Sequence, residues 1–101
     1  MQIRFEWDPA KAVVNRRKHS VSFETALRVF ADPFAFTIPE RIEDGEQRWQ
    51  TIGCVEGDVI LLVAHTVREE DEDGQLIEVI RLISARAADR TERRRYEQRY
   101  R

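Results

Sequence analysis

The chain has 101 residues, 42% hydrophobic and 36% charged, with a net charge of −2 at neutral pH. That length fits one domain, residues 1–101, able to bury a core without disulfides or metals. The lone Cys54 excludes a disulfide within the chain and suits a reducing compartment. The longest apolar run, Val59–Ala64, is far short of the ~20 residues a membrane helix needs, and Met1–Trp7 holds no signal-peptide core. A cytoplasmic protein without membrane contact is therefore expected.

Gln2–Trp7 alternates, with Ile3, Phe5 and Trp7 on one side, and reads as a half-buried strand. Asp8 is a good N-cap and Pro9 suits a first helical position, so a helix is predicted over Pro9–His19. Ser22 caps a second helix, Phe23–Ala31, whose Phe23, Ala26, Leu27 and Phe30 share one face. Asp32-Pro33 stops it. Phe34–Ile38 is β-prone, and Pro39–Glu46 reads as a polar loop with a turn at Asp44-Gly45.

Strands follow at Gln47–Val55, Val59–Arg68 and Leu76–Ser84. Glu56-Gly57-Asp58 makes the first hairpin turn, and Glu69–Gln75 reads as a long acidic loop. The middle strand is apolar on both faces, so it should be central, with Val59–Leu62 buried. Ser84 would cap a terminal helix, Ala85–Tyr100. The expected fold class is α+β: an antiparallel meander with two N-terminal helices and one C-terminal helix, all on one face.

Charge is unevenly spread. Acid collects at Glu40–Glu46 and Glu69–Asp73, base at Arg16–Lys18 and along Arg81–Arg101. Solvated faces explain this as readily as a phosphate-binding patch does. A DNA-binding module using the Arg-rich terminal helix is a competing reading. Against it stand Asp89, Glu92 and Glu97 in that helix, and the lack of a helix-turn-helix signature. Two His and one Cys far apart in sequence give no metal-ligand spacing.

Ordered blocks then carry a resemblance. They are Phe5-Glu6-Trp7-Asp8, Lys11, Asn15, Lys18-His19, Val21-Ser22-Phe23-Glu24, Ala26, Phe30 and Asp32-Pro33 in the first half. In the second half they are Gly45-Glu46, Arg48, Ile52-Gly53, Arg68, Ile80 to Arg86, Glu92 and Tyr96. This pattern resembles the BrnT family of ribonuclease toxins. Ser20 departs from it, standing where the family usually has Gly. The resemblance implies a type II toxin with a RelE-like fold that cleaves RNA without cofactor or metal and arrests growth. It also implies a BrnA-like antitoxin carrying a ribbon-helix-helix part, in an assembly of two toxins and two antitoxins. DNA would be met only through the antitoxin. A family member that binds its antitoxin but no longer cuts is the alternative.

Metal-free RNA cleavage needs a group to deprotonate the 2′-hydroxyl, cations for the phosphorane and an acid for the leaving 5′-oxygen. Histidine ordinarily titrates near neutrality, which makes His19 a candidate, though a His at a helix C-terminus also suits the dipole. Glu46 is a candidate base or simply the partner of Arg48. Arg48, Arg68 and Arg86 are candidate phosphate ligands, because arginine forks onto phosphate. Lys18, Arg81 and Tyr96 are candidate RNA contacts. Arg68 and Arg81 could equally pair with nearby Glu. Ser84 reads best as a cap, and Tyr96 as the residue docking the last helix.

Overall fold

Local signals at the first two helices hold. The computed structural model describes residues 2–100, with backbone alone at residue 100. After strand β1, Gln2–Glu6, the Asp8 carboxylate accepts from Ala10 N–H at 2.8 Å and starts α1, Pro9–His19. Ser20 closes α1 in the left-handed region, φ 60°, its N–H donating to Arg16 C=O. That is the conformation in which a glycine carries no Cβ penalty. Ser22 Oγ accepts from Thr25 N–H at 3.1 Å and starts α2, Phe23–Ala26. The expected α-helix to Ala31 is instead a 3₁₀ turn over Leu27–Ala31. Such tightening is common where a helix ends, and here it seats Val29 on Gly53.

Four strands follow: β2 Phe36–Glu43, β3 Glu46–Glu56, β4 Val59–Glu72 and β5 Gln75–Ala87. The polar loops expected at Pro39–Glu46 and Glu69–Gln75 are largely strand. Asp44-Gly45 and Asp73-Gly74 are two-residue turns with positive φ at both positions, the geometry that matches strand twist in a tight hairpin. Pro39 is tolerated because β2 is an edge strand, with a register shift beside it. The terminal helix does not begin at Ala85. β5 runs through Ala87, and α3 spans Arg90–Glu97, started by a reciprocal capping box between Asp89 and Glu92. Ser84 is thus a strand residue.

The sheet order is β1-β5-β4-β3-β2. β3, β4 and β5 form the expected antiparallel meander, β2 extends it antiparallel to β3, and β1 adds parallel to β5, making the sheet mixed. Helices cover both faces rather than one. Phe23, Ala26 and Val29 pack on Leu61, Val63, Ile80, Leu82 and Ala85. Tyr96 of α3 packs on Ile52, Ile60 and Leu62, the alternate residues of β3 and β4. Ile60 to Leu62 are buried as expected, but Val59 is 46% exposed beside the turn. Ile3, near the start of the edge strand, is also exposed.

A Cβ at Gly53 would lie 3.0 Å from Ala35 Cβ and 3.1 Å from Val29 Cβ. Gly53→Ala is therefore expected to cost about 1–3 kcal/mol through overpacking. A lowered urea midpoint at unchanged slope would show it.

His65 lies inside the helical face. Its ring stands edge-on to Phe30, 5.0 Å between centroids, and Nε2 is 2.7 Å from Thr51 Oγ1. Nδ1 has no partner. Burial pushes its pKa down to about 4. The unfolded chain takes up this proton near the ordinary value of 6.5. The stability it contributes is therefore full above that value and lost as pH falls toward 4. The loss by pH 4 is about 3 kcal/mol. Urea unfolding between pH 7 and 4.5 checks this. His65→Gln, which cannot titrate, should lose less stability on acidification than the parent.

Candidate active site

Pairing register assembles the site on the sheet face opposite α1 and α2. Paired residues of neighbouring strands share a face. Arg81 of β5 stands between Glu6 of β1 and Thr66 of β4. One pair along, Val79 stands between Arg4 and Arg68. A register shift between Ala64 and His65 leaves Ile83 unpaired and keeps Ser84 and Arg86 on the face with Arg81. Alternation along β3 brings Arg48 and Glu46 to the same side.

Most of these arginines are held. Arg68 forks onto Glu6 at 2.8 and 3.1 Å and donates to Glu70 at 2.9 Å. Arg4 binds Glu70 and Glu72. This lattice roofs Val79, which is fully buried. The hydrogen bonds from Arg68 hold the Glu6 carboxyl below its usual range, with the charges of Arg68, Arg81 and Arg4 adding to the effect. Arg86 forks onto Glu92 at 2.8 and 2.9 Å, clamping β5 to the first turn of α3. Arg48 pairs with Glu43 at 3.1 Å.

Arg81 is different. It is exposed, and among the described residues no carboxylate lies within ion-pair distance of it. A guanidinium with five donors stands open in the middle of the face, beside arginines whose carboxylate partners fix their orientation.

Lys18 and His19 lie on another wall. They line a cleft of about 320 Å³ between α1 and β5, together with Lys11, Val14, Ile83 and Ser84. Asn15 fixes this wall. Its side-chain amide donates to Ala85 C=O at 2.9 Å and to Val21 C=O at 3.1 Å, and it accepts from Ala85 N–H at 3.0 Å. β1 ends opposite Arg81, so Asn15 serves the β5 edge where the first strand has run out. Ser84 belongs to both the cleft and the arginine face.

The expected site residues are therefore partly brought together. Arg48, Arg68, Arg81 and Arg86 share one face, and Lys18 and His19 adjoin it through Ser84. Glu46 lies on that side at the far β2–β3 turn, exposed. Tyr96 does not join them. It is 4% exposed, and its hydroxyl donates to Asp32 at 2.6 Å, so no ring face is open to a base. Burial raises the Asp32 pKa, but hydrogen bonds from Cys54 N–H, the Tyr96 hydroxyl and Phe34 N–H outweigh it, and the carboxyl sits below its usual range. Arg86, expected in the first turn of a helix, is a strand residue that instead holds that turn. The residue that sequence reasoning misses is Glu6. Its position on the polar side of β1 is legible, but the parallel pairing that sets it beside Arg81 is not. Among the described residues no three His, Cys, Asp or Glu are close enough to hold a metal ion.

Residues 7–92 match the family model for the ribonuclease toxin BrnT of type II toxin–antitoxin systems. The chain belongs to the BrnT family. The matched span includes Lys18, His19, Arg48, Arg68, Arg81 and Arg86, and stops short of Glu6 and Tyr96. The fold is similar to the 1.1 Å crystal structure of the Brucella abortus ribonuclease toxin BrnT, with a TM-score of 0.60. Identity is 21%, over 89% of this chain and all of that one, so this likeness is one of fold. Comparison with curated proteins finds no match. As a BrnT family member the protein is a ribonuclease toxin of a type II toxin–antitoxin system. No helix among the described residues is long and apolar enough to cross a membrane.

Proposed function

We propose that this protein is a single-domain cytoplasmic toxin, RelE-like in using an open sheet face, that cleaves RNA without a metal ion and arrests growth. The observation that carries the reading is Arg81, exposed and, among the described residues, with no carboxylate within ion-pair distance, amid arginines already fixed in place. In the reaction the 2′-oxygen attacks phosphorus, the P–O5′ bond breaks, and the products are a cyclic phosphate and a free 5′-hydroxyl. Arg81 receives the reacting phosphate. Arg68 and Arg48 add to the field that stabilises its growing charge, and Arg86 does so from the α3 side. His19, at the adjoining cleft, is the group that passes a proton to or from the reacting oxygens. Glu6, beside Arg81, and Glu46, at the far turn, are carboxylates on this face, together with Glu70 and Glu72, that can accept a proton.

The partner is a BrnA-like antitoxin that covers the arginine face, two toxins binding two antitoxins, with DNA engaged only through the antitoxin. The test is purified protein acting on single-stranded RNA in EDTA. Cleavage leaving cyclic phosphate ends, blocked by the antitoxin, is the expected result. Activity that vanishes in EDTA and returns with a divalent ion would overturn the metal-free reading.

A further inference from the structure

The cleft between α1 and β5 has features that the arginine face does not explain. Lys11, Val14, Asn15 and Lys18 recur at helical spacing and turn one stripe of α1 toward it. Val14 is apolar yet 60% exposed. Lys11, Lys18 and His19 rim the cleft, Val14 and Ile83 form its apolar wall, and no acidic side chain lines it. In a chain with 19 acids and 17 bases, that is a local excess of positive charge. Arg4, Arg41, Arg48, Arg68 and Arg86 each have a carboxylate partner, whereas Lys11 and Lys18 have none among the described residues. The helix dipole favours cations at its C-terminus, which accounts for Lys18 and His19 but not for Lys11, two turns earlier, or for bare Val14. At about 320 Å³ the cleft is at the lower bound for a small-ligand site, with room for one heterocycle and none for a base pair.

We infer that this cleft holds the nucleotide adjoining the scissile phosphate of a single-stranded RNA. Its base lies against Val14 and Ile83, and its phosphates meet Lys18 and Lys11. The inference rests on the ribonuclease reading and adds to it a subsite and a substrate class. Ser84, on both surfaces, is where the strand passes from the arginine face into the cleft. A paired base cannot enter, so the enzyme discriminates against duplex RNA by shape rather than by charge.

The test uses the full chain and a 2′-O-methyl RNA octamer, uncleavable because its 2′-oxygens are blocked, followed by fluorescence anisotropy. Lys18→Glu and Arg17→Glu make the same charge change one residue apart, but only Lys18 lines the cleft. Lys18→Glu should weaken binding ~10-fold and lower the salt slope by about 0.7 for each phosphate that is no longer neutralised, with Arg17→Glu changing affinity far less. Val14→Asn should weaken binding of the intact octamer yet match the parent on an octamer with one abasic site next to the cleaved position. The octamer annealed to its complement should bind much more weakly than the single strand. Equal weakening by Lys18→Glu and Arg17→Glu would reveal a diffuse field and overturn the subsite, as would preference for duplex. If the parent cuts RNA and Arg81→Ala does not, while Lys18→Glu and Val14→Asn behave as the parent, the subsite falls and the ribonuclease reading stands. If the parent neither binds nor cuts RNA, both fall. Dependence of antitoxin binding, but not RNA binding, on Val14 and Lys18 would reassign the cleft to a protein partner and overturn the inference.

Discussion

Arg81→Ala is expected to lower RNA cleavage by roughly 10²–10³-fold while leaving the fold intact, the loss typical when one preorganised donor to a developing oxyanion is removed. The side chain is exposed and free of ion pairs among the described residues, so truncating it strands no buried charge and empties no core. Its neighbours remain in place, because Glu6, Glu70 and Glu92 hold Arg68 and Arg86 independently of it. The measurement is single-turnover cleavage of a labelled RNA, with thermal unfolding as the control. Unchanged cleavage in a folded variant would remove Arg81 from the chemistry. Arg68→Ala should also impair toxicity, but by a different route. It releases Glu6 next to Arg81, and that carboxylate then competes with phosphate for the remaining guanidinium, while Glu70 stays paired with Arg4. Because that ion pair is partly solvated, little stability should be lost with it.

Asn15→Ala should be among the most destabilising single changes outside the large apolar core. The side chain is 6% exposed and makes three hydrogen bonds, two of them closing both backbone groups of Ala85. Alanine leaves a buried N–H and two carbonyls without partners, an expected cost of about 3 kcal/mol or more from three groups that each forfeit about 1–3. Against a total stability of ~5–15 kcal/mol that is a large fraction. Asn15→Asp discriminates the mechanism. It still accepts from Ala85 N–H, but at neutral pH it turns a carboxylate toward two carbonyls, so its stability should recover as the medium is acidified toward the carboxyl's own titration. Chemical denaturation of the variants, with amide exchange followed at Ala85, reads both effects. Faster exchange at Ala85 is expected in Asn15→Ala, with Ala85 better protected in Asn15→Asp, which keeps that acceptor. An Asn15→Ala variant as stable as the parent would mean that water replaces the amide at no cost.

Caps and core are legible because their causes are local. Asp8, Pro9 and Ser22 act within one turn, and the apolar run of β4 declares its own burial. The two acidic stretches mislead because polar composition suggests loop, whereas Asp44-Gly45 and Asp73-Gly74 are hairpin turns whose flanking strands are edges or solvent-facing ladders. The last helix starts later than the sequence suggests because Ser84 resembles a cap, while the stronger signal, Asp89 followed three residues later by Glu92, lies further on. Of the site, the arginines are found by type. Their grouping depends on register, on the irregularity at Ile83 and on a pairing between the chain's two ends. Those are decided by tertiary contacts, and no window of sequence contains them.

The parallel pairing of β1 with β5 also sets a timetable for synthesis. Glu6 is made early but can meet Arg68 and Arg81 in this arrangement only when residues 77–81 have emerged to hold the first strand. A contact spanning most of the chain closes late and slowly. A nascent chain still on the ribosome, lacking β5, has neither the edge that Asn15 serves nor the guanidinium at the centre of the face. An incomplete copy therefore lacks the arrangement on which the proposed chemistry depends.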